Sequence, residues 1–108
     1  MVKKIVLWEI LVPATKNDGT IFDIAHHNVW DERVRSFSGG ITLLRSVTGQ
    51  WVNSAKKIFI EKMIPVRIAC DEQTMKKIAD ITARHYRQEA VMYYEVSRRV
   101  FIKHYDEK

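Results

Sequence analysis

Apolar residues recur along this chain of 108 residues at two spacings. A period of two marks extended segments, and a period of three to four marks helices. Val2 to Val12 is rich in Val, Ile and Leu, ends at Pro13, and predicts a first strand. Residues 13–22 contain Pro13, Asn17, Asp18 and Gly19 and predict a loop. Asp23 is placed to cap a helix running to about Phe37, on which His26, Trp30, Arg33, Val34 and Phe37 share one face. Gly39-Gly40 ends it. A second strand is predicted over 41–52, irregular at Thr48-Gly49, followed by a turn at Asn53-Ser54-Ala55. Lys56 to Cys70 reads as a long third strand, in which Pro65 demands a bulge or an unpaired edge position. Asp71 caps a second helix through about Gln88, with Glu72 in its first turn and Arg84, His85 and Arg87 in its last turns. Ala90 to Ile102 is the final strand, and His104 to Lys108 is a polar tail.

The order β-α-β-β-α-β predicts an α+β, ferredoxin-like sandwich. Residues 1–108 form one such domain, a four-stranded antiparallel sheet with both helices on one face and the first and third strands central. The second sheet face must then be solvated, bind a ligand or meet another subunit.

Period-two parity assigns the side chains to those faces. In the third strand Ile58, Ile60, Ile64, Val66, Ile68 and Cys70 fall on the core side, and Phe59, Glu61, Met63 and Arg67 fall opposite. In the first strand Val6, Trp8, Ile10 and Val12 share one side; Ile5, Leu7, Glu9 and Leu11 share the other. In the last strand Met92, Tyr94, Val96, Val100 and Ile102 read as core, with Val91, Tyr93, Glu95, Ser97 and Phe101 opposite. Glu9, Glu61 and Glu95 would then converge on the open face among Leu7, Leu11, Phe59, Met63, Tyr93 and Phe101. Such an apolar face marks a partner surface. It predicts a homo-oligomer, a dimer or trimer, assembled through the sheet. Glu61 and Glu95 either form structural ion pairs with Arg67, Arg45 or Arg99, or one of them is a general acid or base in a pocket between subunits.

Composition narrows the function classes. A chain 46% hydrophobic and 10% aromatic, without low-complexity tracts, is not a disordered one. The apolar run Ile5-Val6-Leu7-Trp8 stops at Glu9, far short of a membrane span. One cysteine, Cys70, allows neither an internal disulfide nor a cysteine-based zinc site, and a cytoplasmic location is the expectation. The net charge of +5 is dispersed in pairs, Lys3-Lys4, Lys56-Lys57, Lys76-Lys77 and Arg98-Arg99, as expected for solvated element ends.

Other chemistry finds less support. His27 and Asp31 share a helix face at i, i+4, but two ligands do not make a metal site. His26 is expected to pack beside Trp30, and His27 to lie on the surface. Cys70 lies on the core side, so nucleophilic catalysis through it is not expected. Ser38-Gly39-Gly40 opens a strand, not a helix, and cannot act as a phosphate loop. RNA-recognition motifs share this element order, but here the third strand reads Lys57-Ile58-Phe59-Ile60-Glu61, with one aromatic, no glycine and a central carboxylate. A nucleic-acid partner is therefore not expected, and no cofactor or metal is.

Several strings occur together: Gly39-Gly40-Ile41-Thr42, Gly49-Gln50-Trp51, Glu61 on the next strand, and Tyr86-Arg87-Gln88-Glu89-Ala90-Val91. In this order, over about residues 37–102, they resemble a family of small bacterial proteins of unknown function. More distantly the chain is similar to phage-encoded S-adenosylmethionine lyases. That resemblance implies ferredoxin-like subunits assembled as trimers, with sites between subunits where a Glu and a Tyr split a sulfonium substrate without metal or water. Glu61 matches the Glu. Trp51 falls where the Tyr would be and has no phenolic hydroxyl. An indole face beside a carboxylate still suits a sulfonium or ammonium group. The candidate site is thus Glu61 as the acid-base residue, with Trp51, Tyr93, Glu95 and Glu9 as ligand-binding residues, at a subunit interface that takes a small molecule. A non-catalytic interaction or structural oligomer is the alternative.

Overall fold

A computed structural model describes residues 4–106. Val2 and Lys3, expected in the first strand, and Glu107 and Lys108 of the tail lie outside the described residues. The elements are β1 (Val6–Pro13), α1 (Ile24–Ser38), β2 (Thr42–Leu43), β3 (Val47–Val52), β4 (Ile58–Cys70), α2 (Glu72–His85) and β5 (Tyr93–Ser97). All strand pairs are antiparallel, in the order β2-β4-β1-β5, with β3 beside β4 on the same edge as β2. This is the expected α+β, ferredoxin-like arrangement, with β1 and β4 central, but it has five strands instead of four.

The extra strand arises because the expected second strand breaks between Leu43 and Val47. The register of β3 on β4 then runs without interruption from Val47↔Met63 to Val52↔Ile58, so no irregularity falls at Thr48-Gly49. The break sits opposite Pro65. The Pro65 carbonyl accepts from the Leu44 N–H at 2.9 Å, so Pro65 faces β2 and β3 where it has no N–H to offer. On the other side the β1 ladder passes through Leu11↔Pro65 without a bulge. Of the two expectations for Pro65, the unpaired position is the one observed.

Both helices cover the face of β1 and β4 that carries Val6, Trp8, Ile10 and Val12 with Val66, Ile68 and Cys70. Against these pack Trp30 and Val34 of α1 and Met75, Ile78 and Ile81 of α2. Arg33 and Phe37 are exposed, so α1 buries a narrower stripe than its spacing suggested. The Asp71 side chain caps α2 by accepting the Thr74 N–H at 2.9 Å, whereas Asp23 stands at the N-cap of α1 without a side-chain cap. Gly39, at φ 84°, closes α1 with its N–H on the Arg35 carbonyl. No helix among the described residues is long and apolar enough to cross a membrane.

Three face assignments change. Ile58 and Ile60 have the core parity but lie beyond the helices, and are 62% and 69% exposed. In β5 the parity is reversed: Ile10↔Tyr93 and Trp8↔Glu95 place Tyr93 and Glu95 on the helix side, while Glu9↔Tyr94 places Tyr94 on the open face. Tyr93 packs edge-on against Trp8 with ring centroids 6.0 Å apart. Both faces of this segment are apolar, so alternation alone could not choose between them. β5 also ends at Ser97, and Phe101 beyond it is 81% exposed.

The helices meet along a polar and aromatic seam. Trp30 Nε1 donates to Thr82 Oγ1 at 2.9 Å, and that hydroxyl donates to the Ile78 carbonyl at 2.7 Å. His26 Nε2 lies 2.9 Å from the His85 carbonyl, and His85 Nε2 lies 2.7 Å from the His26 carbonyl. A carbonyl only accepts, so both Nε2 atoms carry hydrogen. The two rings stack at 3.9 Å. His27, expected on the surface, is half-buried, with Nδ1 2.6 Å from the Tyr86 hydroxyl.

Thr82→Val should cost about 1–3 kcal/mol in urea denaturation, because it strands the buried Trp30 N–H. Burial holds the His27 pKa below its ordinary 6.5. Between those two values the unfolded chain binds more protons than the folded one, so His27 makes stability fall as pH drops below 6.5 and leaves it level above. His27→Gln should remove that part of the slope in denaturation curves taken from pH 5 to 8.

Candidate functional site

The open face of the sheet carries the odd-numbered residues of β1, β3 and β4. Gly49↔Glu61 and Trp51↔Phe59 are direct cross-strand pairs, and Met63 stands opposite both Val47 and Pro13. Side chains two apart on one strand are neighbours on that face. Glu61 is therefore flanked by Phe59 and Met63, with Trp51 diagonal to it and no side chain directly across at Gly49. The glycine matters here. A Cβ at position 49 would lie 2.4 Å from Met63 Cε and 3.1 Å from Trp51 Nε1.

The opposite wall is the segment after α2. Arg87 adopts φ 53° and turns the chain out of the helix, so α2 ends at His85 and not at Gln88. The Gln88 side-chain amide then donates to the Tyr86 carbonyl at 3.1 Å and reaches Asn17 Oδ1 at 3.4 Å. The Leu11 N–H donates to the Met92 carbonyl at 3.1 Å, which pins the segment along β1. Between this segment and the sheet lies a cavity of about 550 Å³, lined by apolar residues of β1, β3 and β4, by Glu61, and by residues 88–92. That size lies within the range of small-molecule sites.

Two carboxylates, Glu61 and Glu89, line this cavity, and among the described residues no Lys, Arg or His does. Neither carboxylate has an ion-pair or hydrogen-bond partner among the described residues. The chain as a whole carries +5. The cavity is thus a local acidic, aromatic hollow in a basic protein. Nearby, Lys57 Nζ lies 5.2 Å from the centre of the Phe59 ring, so one of the lining rings already attracts a cation.

The five expected site residues divide into three groups. Trp51 and Glu61 line the cavity. Glu9 is on the same face but outside the cavity and only 8% exposed; Arg67 Nε donates to it at 3.0 Å, and the Tyr94 hydroxyl donates to its second oxygen. Tyr93 and Glu95 lie on the helix side, away from the others, and Glu95 pairs with Arg98 at 2.8 Å. Among the described residues neither ion pair expected for Glu61 and Glu95 forms: Arg67 takes Glu9, and Glu95 takes Arg98. Glu89, Gln88 and Met92 were missed as wall residues. The helix pattern runs smoothly into them, and no glycine at 87 signals the left-handed turn.

A second hollow of about 510 Å³ lies beside the helix seam, among Lys16, Asp18, Phe22, His26, His85 and Arg87. Asn17 lines both hollows. Cys70 is buried on the core side, and burial, with Asp71 nearby, raises its pKa to about 11, so its thiol stays protonated.

No protein-family model matches the sequence, and no curated protein does. Solved structures match it across most of its length. One is a phage SAM lyase in complex with S-methyl-5'-thioadenosine, with 13% identity over 91% of this chain and 84% of that one, at a TM-score of 0.67. Another is the periplasmic divalent cation tolerance protein CutA from Archaeoglobus fulgidus, with 7% identity over 92% and 88%, at 0.66. A third is CutA1 from the psychrotrophic Shewanella sp. SIB1, with 10% identity over 97% and 88%, at 0.64. At these identities the likeness establishes the fold: this is a small protein of the ferredoxin-like class that SAM lyase and CutA also adopt.

Glu9→Gln should destabilise the fold by about 1–3 kcal/mol in urea denaturation, because Arg67 loses its carboxylate partner. Tyr94→Phe should cost less, because Glu9 keeps the Arg67 bond.

Proposed function

We propose that the chain is a self-assembling protein of the cytoplasm that holds a small organic cation, of the sulfonium or quaternary ammonium class, over Glu61. The observation that carries this reading is the charge of the cavity. Two carboxylates without a partner among the described residues line it together with the rings of Trp51 and Phe59, in a chain of net charge +5. An aromatic face with a carboxylate nearby attracts a positive centre that has no hydrogen-bond donors, and offers its neutral analogue no such attraction. The phage SAM lyase was solved with a thioether nucleoside bound, which makes S-adenosylmethionine the natural first probe.

Self-assembly is supported by the β3–β4 hairpin. Trp51 and Phe59 are exposed on one of its faces, and Ile58 and Ile60 on the other. Beyond β5, Phe101, Ile102 and Tyr105 are exposed as well. Apolar side chains on both faces of one projecting element call for a second copy to cover them. The cavity borders that hairpin, so the assembled form is the one expected to bind.

Calorimetry with S-adenosylmethionine and with S-adenosylhomocysteine, which lacks the sulfonium charge, tests this. S-adenosylmethionine should bind, and the homocysteine analogue should bind at least about tenfold more weakly, equivalent to ~1.4 kcal/mol. Glu61→Gln should lose affinity to a similar extent while native mass spectrometry shows the same subunit number. Equal binding of both compounds, or an oligomer that falls apart in Glu61→Gln without any ligand bound to wild type, would leave Glu61 an assembly residue and sink the ligand reading. Thioether products in the same mixture would show that binding is followed by cleavage.

A further inference from the structure

The contact between Gly49, Met63 and Trp51 lies on the open face of the sheet, outside the cluster of side chains that the helices cover. It does shape the cavity. Gly49 faces Glu61 directly across the β3–β4 ladder. Its bare Cα gives the Met63 methyl a place to lie, since a Cβ there would stand 2.4 Å from Met63 Cε. The same Cβ would stand 3.1 Å from Trp51 Nε1 and 3.4 Å from Trp51 Cε2. Met63 is buried, while Trp51 and Glu61 beside it are exposed. The methionine therefore lies down against the backbone of β3 and leaves the space over Glu61 open.

We propose that Gly49 is a specificity-determining residue, setting the width of the space between Trp51 and Glu61 by holding Met63 flat. This rests on the cation-binding reading of the cavity. Any side chain at 49 displaces the end of Met63, a flexible thioether that moves at little cost to the fold. Met63 lines the cavity, so the cavity is where it goes. The added Cβ also crowds the indole at Nε1. Both movements narrow the site for a bulky cation such as a sulfonium with three substituents, and affect a small one such as tetramethylammonium less. φ at Gly49 lies outside the left-handed region, so alanine is tolerated there by the backbone.

The test is Gly49→Ala, alone and combined with Met63→Ala. Gly49→Ala should melt close to wild type and bind S-adenosylmethionine about tenfold or more weakly, the scale of one misplaced methyl group in a pocket. Tetramethylammonium should lose less. Gly49→Ala/Met63→Ala should recover most of the lost affinity, a rescue that a merely structural role for Gly49 would not give. Unchanged affinity in Gly49→Ala, or a double variant as weak as the single one, overturns the proposal. A separate readout covers the case in which wild type takes up no cation and the binding reading itself fails. The Met63 methyl, labelled for NMR, should change its chemical shift in Gly49→Ala, because the added Cβ would displace it. A methyl signal that stays in place overturns the packing of Met63 on Gly49, whatever binds.

Discussion

The rest of this structure depends on the mismatch in length between β4 and the helices. Thirteen residues of strand span roughly 43 Å, whereas α1 and α2, with 15 and 14 residues, reach only roughly 22 Å. The helices can cover about half of β4. They cover the half from Ile64 to Cys70, where β1 runs alongside and the core forms. The other half leaves the sandwich with β3 as its companion, and the molecule extends 55 Å along one axis against 30 and 22 Å along the others. Pro65 lies where the two halves meet. Its missing N–H lets the edge strand break there, so β2 belongs to the sandwich and β3 to the hairpin.

That division places the chemistry. Inside the sandwich, polar groups are matched: Trp30 with Thr82, Trp8 Nε1 with the Cys70 carbonyl at 3.1 Å, Glu9 with Arg67 and Tyr94. Buried donors and acceptors left alone would cost more than the fold can spare. Where the hairpin leaves the sandwich the constraint relaxes, and Glu61 and Glu89 stand without partners among the described residues around a hollow of aromatic and aliphatic side chains. Their isolation carries little penalty because water reaches them. It also leaves them free to meet a charge brought from outside.

The helix seam is joined to the hollow through a short stretch of chain. His85 ends α2 with its ring against His26, Tyr86 is buried and touches His27, and Arg87 turns the backbone toward Gln88 and the cavity wall. Two residues therefore separate the aromatic lock between the helices from the first side chain of the candidate site. The position of the wall follows from how firmly that lock holds.

Read alone, the sequence determined the element order, the ferredoxin-like class, the central placement of the first and third strands and most of the core. Those depend on local periodicity, on caps such as Asp71 and on terminators such as Gly39, all of which act within a few residues. It also singled out Glu61, by the parity of its strand and by the resemblance to the lyases, and Trp51, by that resemblance alone. It could not place Tyr93 and Glu95, since Tyr93, Tyr94 and Val96 offer apolar side chains to both faces and the register of β5 is decided by its contact with β1. Nor could it show Glu89 in the wall, because the turn at Arg87 has no residue that announces it. Pairing register and chain reversal are settled by contacts between residues far apart in sequence, and so only the tertiary structure decided which carboxylates share the cavity and which are already taken.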